Sequence, residues 1–394
     1  MKTTANLATR IENALLSRNN IFESFFSQES RRLAEACREM SERFLIGGRL
    51  LAFGRGACST DAQHVSVEFV HPVIVGKRAL PALDLSALMQ PWLDSILRSE
   101  DIVMGFGPPQ GDTEVWSALD SAHACGAMTF ALPGPSGSYT LQTSVRDPFI
   151  HQELVEILYH TLWETVHVFL EHRELGQDVG HSEFLYPFLG KKKQEIASIV
   201  GDVAASILMK VREDTDLRTR LASEESEQIG AASLAIHERI TRGGKLIIFG
   251  NGGSATDAND WALDCATPAE GRRKIPAISL AMEPANITAL ANDVGTEVIF
   301  ARQLMAQARP EDVAIGISTS GGSANIVMAL EEARKRKLLT VALLGNDGGE
   351  IARRGLVDFP IIVRSSYIPR IQEVQASAYH VILDTLEVLN RGDA

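Results

Sequence analysis

The sequence has 394 residues, of which 45% are hydrophobic and 22% are charged, and its net charge is −12. This length predicts about two domains, and the acidic balance argues against nucleic acid as the main partner. No stretch approaches the ~18 consecutive apolar residues of a membrane span. The start, MKTTANLATRIENALL, lacks the blocks of a signal peptide, so the sequence predicts a cytoplasmic protein.

Two segments of the chain repeat one pattern. GRGACSTDAQHVSVE begins at Gly54, and GNGGSATDANDWALD begins at Gly250, 196 residues later. The preceding stretches GGRLLAFG and GGKLIIFG match at the same offset, and QELVEILYH at residues 152–160 matches QEVQASAYH at residues 372–380. A repeat of this length indicates duplication. We therefore expect two homologous domains, at residues 1–175 and 195–394, joined by a glycine- and lysine-containing linker at 176–194.

Each copy begins with helical periodicity and continues with short apolar strands. Apolar residues recur at three- and four-residue spacing in QESRRLAEACREMSERFL and in SEQIGAASLAIHERI. The second copy then contains the runs KLIIFG, IPAISL, DVAIGIS, LLTVALLG and DFPIIV, which are separated by helical segments. This alternation predicts an α/β fold, with a mostly parallel five-stranded sheet flanked by helices in each domain.

Two loops of the second copy carry groups that suit a phosphate. KLIIFGNGGSATDA runs from a strand through a glycine turn into a helix, whose free N–H groups attract anions. GISTSGGSAN places four hydroxyls within six residues at the end of another strand. Helix capping explains one such serine but not four. Since ligands of α/β sheets bind at the carboxyl ends of strands, the two loops together predict a phosphate site.

These loops, with ANDVG at Ala291–Gly295 and RIQEVQASAYH at Arg370–His380, closely resemble the sugar isomerase (SIS) domain of bacterial phosphoheptose isomerases. The resemblance covers residues from about 195 to 390 and implies that Asp293 lies close to a bound sugar. It implies that a phosphorylated sugar is held by Asn251, Gly252, Gly253, Ser254, Ser318, Thr319, Ser320 and Ser323. The first copy has GFGPPQGD in place of the serine loop, so we expect it to have lost this binding. SIS domains commonly pair, which implies an internal pseudo-dimer and a homodimer of two-domain chains.

Aldose–ketose isomerisation through an enediol needs a base and an acid. In the resembled family, a His and a Glu four residues apart, with a Gln and a His eight apart, form the reactive end and can hold zinc. The second copy keeps Gln372 and His380 but has Asp260 and Asp264 at the other two positions, so we expect Asp264 to be the base. The first copy has the complete set, which predicts a zinc site and makes its glutamate a second candidate base. These residues are His64, Glu68, Gln152 and His160.

The leading interpretation is an aldose–ketose isomerase of a phosphosugar such as sedoheptulose 7-phosphate. The alternative is a non-catalytic sugar-phosphate sensor, or a protein-interaction regulator, with the same fold. Asp260 and Asp264 favour the alternative, because Asp260 replaces the His of the resembled family and Asp264 is one methylene shorter than the Glu that it replaces. Gln372 and His380 favour the isomerase. Fold alone does not decide between the two.

Overall fold

A computed structural model describes residues 2–72, 77–174 and 196–392. The predicted linker at 176–194 lies outside these described residues. Within them, no helix combines the length and the apolar character that a membrane span needs.

The first half of the chain forms a five-stranded parallel sheet with flanking helices. The sheet order is β2-β1-β3-β4-β5. The helices and strands are α1 (Lys2–Leu45), β1 (Leu50–Gly54), α2 (Ser59–Val70), β2 (Ala82–Asp84), α3 (Met89–Ile96), β3 (Ile102–Phe106), α4 (Thr113–Ala124), β4 (Met128–Leu132), β5 (Tyr139–Thr140) and α5 (Pro148–Glu174).

The second half repeats this architecture with the order β10-β9-β8-β6-β7, again parallel throughout. Its elements are α6 (Ile196–Thr241), β6 (Leu246–Gly250), α7 (Gly253–Ala266), β7 (Ala277–Ser279), α8 (Pro284–Asp293), α9 (Ile299–Gln307), β8 (Val313–Ser318), α10 (Ala324–Lys335), β9 (Leu339–Gly345), α11 (Gly349–Arg353), β10 (Phe359–Val363) and α12 (Ile368–Arg391). The predicted α/β class with two five-stranded sheets is confirmed, and each apolar run of the second copy supplies one strand.

The chain divides into two compact units. One, which we call the N-terminal unit, consists of Asn20–Glu213, and the other, the C-terminal unit, consists of Met1–Asn19 with Asp214–Ala394. The division falls inside α1 and inside α6. The first sheet therefore groups with the start of α6, and the second sheet groups with the start of α1. The domain boundaries expected from the repeat stay a prediction.

The central strands of each sheet are apolar on both faces. All five residues of β1, β3 and β6 are buried, as are all seven of β9. Helices cover both faces of a parallel sheet, so such strands show continuous rather than alternating hydrophobicity. The interior strands therefore leave polar groups only at their ends, where the loops begin.

Candidate active site and candidate metal site

The glycine loop joins β6 to α7 through Asn251 and Gly252. Gly252 has φ +58°, a left-handed conformation that favours glycine. Gly252 is the N-cap residue of α7. Because it has no side chain, it cannot hydrogen-bond to the N–H groups of the first helical turn. The amino end of α7 therefore presents backbone N–H groups at an exposed loop, which is an arrangement that binds anions.

The serine loop joins β8 to α10. Ser318 Oγ accepts a hydrogen bond from the N–H of Gly321 at 3.1 Å, and Ser320 Oγ accepts one from Gly322 at 3.3 Å. Gly321 has φ +63°, and a Cβ there would lie 2.2 Å from the carbonyl oxygen of Gly348. Ser323 caps α10 without a side-chain hydrogen bond to the helix. The amino end of α10 therefore starts at the serine loop without a side-chain cap from Ser323.

The two loops lie side by side. Strands β6 and β8 pair in parallel, with Gly250 opposite Ile317. The side-chain amides of Asn251 and Asn325 exchange two hydrogen bonds, of 2.9 and 2.8 Å, which tie one loop to the other. Asn325, in the first turn of α10, was not expected from the sequence. The structure brings the predicted phosphate-binding residues onto these two adjoining loops, with Ser254 and Ser318 buried and Ser320 exposed.

A cavity of about 850 Å³ lies beside the serine loop. Its walls include Ser320, Asn346, Arg364 and Ser365, which belong to the loops that follow β8, β9 and β10. Asp293, predicted to lie near the sugar, is exposed at the end of α8. Among the described residues its hydrogen bond is with Asn292, at 2.8 Å.

An acid–base cluster, in which Asp260 and His380 are buried and Asp264 is partly exposed, joins α7 to α12. His380 Nε2 lies 3.5 Å from Asp264 Oδ2 and 3.7 Å from Asp260 Oδ2. The hydroxyl of Tyr379 donates to Asp260 Oδ2 at 2.8 Å, and its ring stacks on Trp261 at 5.3 Å. Asp264 and His380, the predicted catalytic pair, therefore lie next to each other, and Tyr379 is an additional member of the cluster. The catalytic role of the pair stays a prediction. The three ligand atoms of Asp260, Asp264 and His380 lie within 4.8 Å of one another, so the cluster could also hold a cation.

Burial, together with the neighbouring carboxylate of Asp260, raises the pKa of Asp264 to about 6, against the lowering effects of His380 and Arg272. Asp264 is thus mostly ionised at neutral pH yet more basic than an exposed carboxylate. A general base works best with a pKa near the working pH. The position suits proton abstraction from a carbon acid.

Gln372 lies two turns before His380 on α12, about 12 Å away along the helix axis. Its side chain is buried, and its Oε1 has no hydrogen-bond partner in the described part of the chain. A buried amide oxygen without a partner costs free energy unless a ligand or water satisfies it. Gln372 is therefore available to a bound molecule.

The N-terminal unit contains a second cluster, between α2 and α5. His64 Nε2 lies 3.4 Å from His160 Nε2 and 3.9 Å from Glu68 Oε1, and all three residues are buried. Zinc–nitrogen bonds of about 2.0–2.1 Å in a tetrahedral site place two nitrogens roughly 3.3 Å apart. The imidazole spacing fits this geometry, and the carboxylate needs only a small shift. These three residues can therefore hold a divalent ion.

Gln152, the fourth predicted ligand, contacts Asp61 and not the three residues of this cluster. Its Nε2 donates to Asp61 Oδ1 at 3.2 Å, and its Oε1 is buried without a hydrogen-bond partner among the described residues. Asp61 lies one helical turn before His64. The role of Gln152 as a ligand stays a prediction.

The chain is similar to known proteins of one family. Residues 211–345, which include both loops, match the SIS domain family. The phosphoheptose isomerase of Geobacter sp. (strain M21) is 41% identical over 182 residues, covering 46% of this chain and 94% of that protein. The chain belongs to the SIS domain family. The phosphoheptose isomerase of Geobacter sulfurreducens is 38% identical over 190 residues, 48% of this chain and 97% of that protein.

The SIS fold extends beyond the matched segment. The C-terminal domain of glucosamine-fructose-6-phosphate aminotransferase from Francisella tularensis superimposes with a TM-score of 0.61. The superposition covers 96% of this chain and 96% of that one, at 9% sequence identity. At this identity the likeness concerns the fold alone.

The equivalent loops of the N-terminal unit are occupied by their own side chains. Asp112 Oδ1 accepts hydrogen bonds from the N–H groups of Glu114 and Val115, at 2.9 and 3.2 Å, and so caps α4. Arg55, in the loop after β1, pairs with Asp112 at 3.1 Å and with Glu114 at 2.9 Å. A carboxylate thus caps this helix end, whereas the equivalent helix of the C-terminal unit, α10, has no side-chain cap from Ser323.

Proposed function

We propose that this chain is an aldose–ketose isomerase of a phosphosugar, with sedoheptulose 7-phosphate as the substrate. The observation that carries the proposal is the pair of adjoining loops in the C-terminal unit, which combine hydroxyls with two open helix ends. The names of the relatives, phosphoheptose isomerases at about 40% identity, support the same substrate class.

The phosphate would be held by the two loops. Its oxygens would accept hydrogen bonds from the backbone N–H groups at the starts of α7 and α10. The side chains of Asn251, Ser254, Ser318, Thr319, Ser320 and Ser323 would contribute the remaining donors. Hydrogen bonds to a charged acceptor contribute about 1.5–3 kcal/mol each, so this set accounts for selective binding of a phosphorylated sugar. Asp293 stays a candidate contact to the sugar.

The reaction would be a proton shift between neighbouring carbons. Asp264, as carboxylate, removes the proton from the carbon beside the carbonyl, while His380 donates a proton to the carbonyl oxygen, which gives an enediol. Asp264 then delivers the proton to the adjacent carbon, which was the carbonyl carbon, and the hydroxyl on the first carbon loses its proton to His380. These two transfers complete the isomerisation. Gln372 would orient the oxygens by hydrogen bonding. No oxidant or reductant is consumed.

In the N-terminal unit we propose a zinc or similar divalent ion held by His64, Glu68 and His160, with Gln152 as a fourth candidate. Such an ion supplies a positive charge and links α2 to α5. Because Arg55 and Asp112 occupy the neighbouring helix end, we expect this unit to bind metal without binding a phosphosugar. The substitution Glu68→Gln tests whether Glu68 also acts as a base.

The second candidate function is a sugar-phosphate sensor. Asp260, where the resembled family has a His, is engaged by Tyr379 and lies beside His380, which favours a site that binds without turnover. Calorimetry with sedoheptulose 7-phosphate, followed by chromatographic analysis of the recovered sugar, separates the two functions. An isomerase yields a mixture of aldose and ketose, whereas a sensor binds the sugar and returns it unchanged. The absence of binding would contradict both.

A further inference from the structure

A fully buried guanidinium connects three helices of the C-terminal unit. Arg218 lies on α6, and its side chain has no exposed surface. Its Nε donates to Ser377 Oγ on α12 at 2.9 Å, and its Nη1 donates to Asn19 Oδ1 on α1 at 3.0 Å. Its Nη2 donates to Asp214 Oδ2, one turn earlier on α6, at 2.7 Å. Because the guanidinium is planar and its donors point in fixed directions, these contacts fix the position of α12.

The contact with α12 falls between the residues of the proposed reactive end. Ser377 lies five residues after Gln372 and three residues before His380. The hydroxyl of Ser377 also donates to the carbonyl oxygen of Glu373 at 3.4 Å, and the Glu373 carboxylate pairs with Arg370 within the same helix. The network thus holds the segment of α12 that carries the reactive side chains.

Stability does not explain the network. Burial raises the pKa of Asp214 to about 6, although Arg218 lowers it, so the ionised carboxylate is disfavoured where it lies. Replacing a buried ion pair by apolar residues of similar volume is often neutral or stabilising. An apolar contact at this place would serve the core at least as well.

The N-terminal copy has apolar residues at two of the equivalent positions, while the buried Arg18 aligns with Asp214. The repeat places Phe22 at the position of Arg218, and Ile157 at the position of Ser377. Both are buried members of one apolar core cluster. The same fold is therefore built with an apolar pair at these positions, in the unit whose serine loop is absent. The charged network occurs in the unit that has both phosphate loops.

We propose that Arg218 is a positioning residue of the reactive site, which holds α12 through Ser377 so that Gln372 and His380 face the substrate. The proposal rests on the proposed isomerase function.

The first test transfers the apolar pair of the N-terminal unit. The variant combines Arg218→Phe, Ser377→Ile and Asp214→Leu, so that no buried charge is left alone. We expect its melting temperature to stay within a few degrees of the wild type and its KM for sedoheptulose 7-phosphate to stay within about twofold, while kcat falls about 10- to 100-fold. An unchanged kcat in the folded variant overturns the proposal.

The matched control is Lys245→Met. Lys245 pairs with Asp312 in the same unit, at the amino ends of β6 and β8 and therefore away from the strand ends that carry the loops. It should lower the melting temperature and leave kcat unchanged. An equal loss of kcat in this control would show that any destabilised variant loses activity, and would contradict a specific role for Arg218.

A milder variant decides the question if the triple substitution does not fold. Ser377→Ala removes one acceptor and keeps the charges, and it should lower kcat by a smaller factor at constant KM. The second readout is the ¹⁵N spectrum of labelled histidines, with His380 assigned through His380→Gln. We expect the His380 ring signals to shift in Ser377→Ala, and unchanged signals with unchanged kcat refute the proposal. If the wild type shows no turnover, the isomerase function is refuted, and the His380 signals alone decide whether Arg218 positions α12.

Discussion

The serine loop depends on glycine at position 321, which gives a sharp test of the phosphate site. Substitution Gly321→Ala would place a Cβ 2.2 Å from the carbonyl oxygen of Gly348 and 2.9 Å from the nitrogen of Gly349. Both are backbone atoms, so a change of rotamer cannot relieve the contact. The loop must shift, and the bond from the Gly321 N–H to Ser318 Oγ must lengthen.

We expect the substitution to lower both the stability of the fold and the affinity for the phosphosugar. A non-glycine residue at the left-handed φ of +63° costs about 1–2 kcal/mol in stability. Displacement of one donor from the phosphate removes about 1.5–3 kcal/mol of binding. Since 1.4 kcal/mol is a factor of ten in affinity, we expect phosphosugar binding to weaken at least ~10-fold and by ~100-fold if the whole loop moves.

Gly355→Ala is the matched control. Gly355 has φ +59°, and a Cβ there would meet nothing within 4 Å, so the variant has the backbone strain without the collision. Calorimetric titration with sedoheptulose 7-phosphate and thermal unfolding are measured for both. Both variants should be destabilised, but only Gly321→Ala should lose affinity. Equal, undiminished affinity in the two variants would refute the assignment of the serine loop as the phosphate site.

Three further outcomes are expected. The double substitution Asp260→His with Asp264→Glu should raise isomerase activity, because it restores the longer carboxylate and a neutral donor; a folded variant with no gain would point to a reactive end built from other residues. Glu68→Gln should lower the zinc content of purified protein, measured by atomic emission, because an amide ligates divalent ions less well than a carboxylate; loss of turnover as well would make Glu68 a base, and no change in either quantity would make the cluster structural. Burial raises the pKa of Glu225 to about 7, against the effect of Arg364. The contribution of protonated Glu225 to stability is therefore complete below the pKa that Glu225 has in the unfolded chain, and it is lost as the pH rises through 7. Glu225→Gln should flatten the decline in melting temperature between pH 5 and 8. Parallel wild-type and variant profiles would contradict this.

Local pattern was sufficient for much of the fold. Runs such as KLIIFG and DVAIGIS are uninterrupted and apolar because helices cover both sheet faces, and they became β6 and β8. The side-by-side placement of the glycine and serine loops was predictable because strand ends in a parallel sheet meet at one edge, so residues far apart in sequence are placed together. The repeat predicted the first sheet from the strand runs of the second copy.

Contacts that depend on tertiary packing were not predictable. Asn325 reaches Asn251 across two loops that are 74 residues apart, and Tyr379 reaches Asp260 across 119 residues. The pairing of Arg55 with Asp112 likewise gives no local signal, although Asp112 could have been recognised as a helix cap before TEVW. The grouping of residues 1–19 with the second sheet depends on long-range helix contacts that a single sequence does not display.

We propose that the C-terminal unit moves a proton on a phosphosugar. Incubation of the wild type with sedoheptulose 7-phosphate in D₂O, followed by NMR of the recovered sugar, tests it directly, with Asp264→Asn as the control. We expect deuterium at the carbon beside the carbonyl with the wild type and none with Asp264→Asn. A wild type that binds the sugar yet incorporates no deuterium, across heptose, hexose and pentose phosphates, would contradict it.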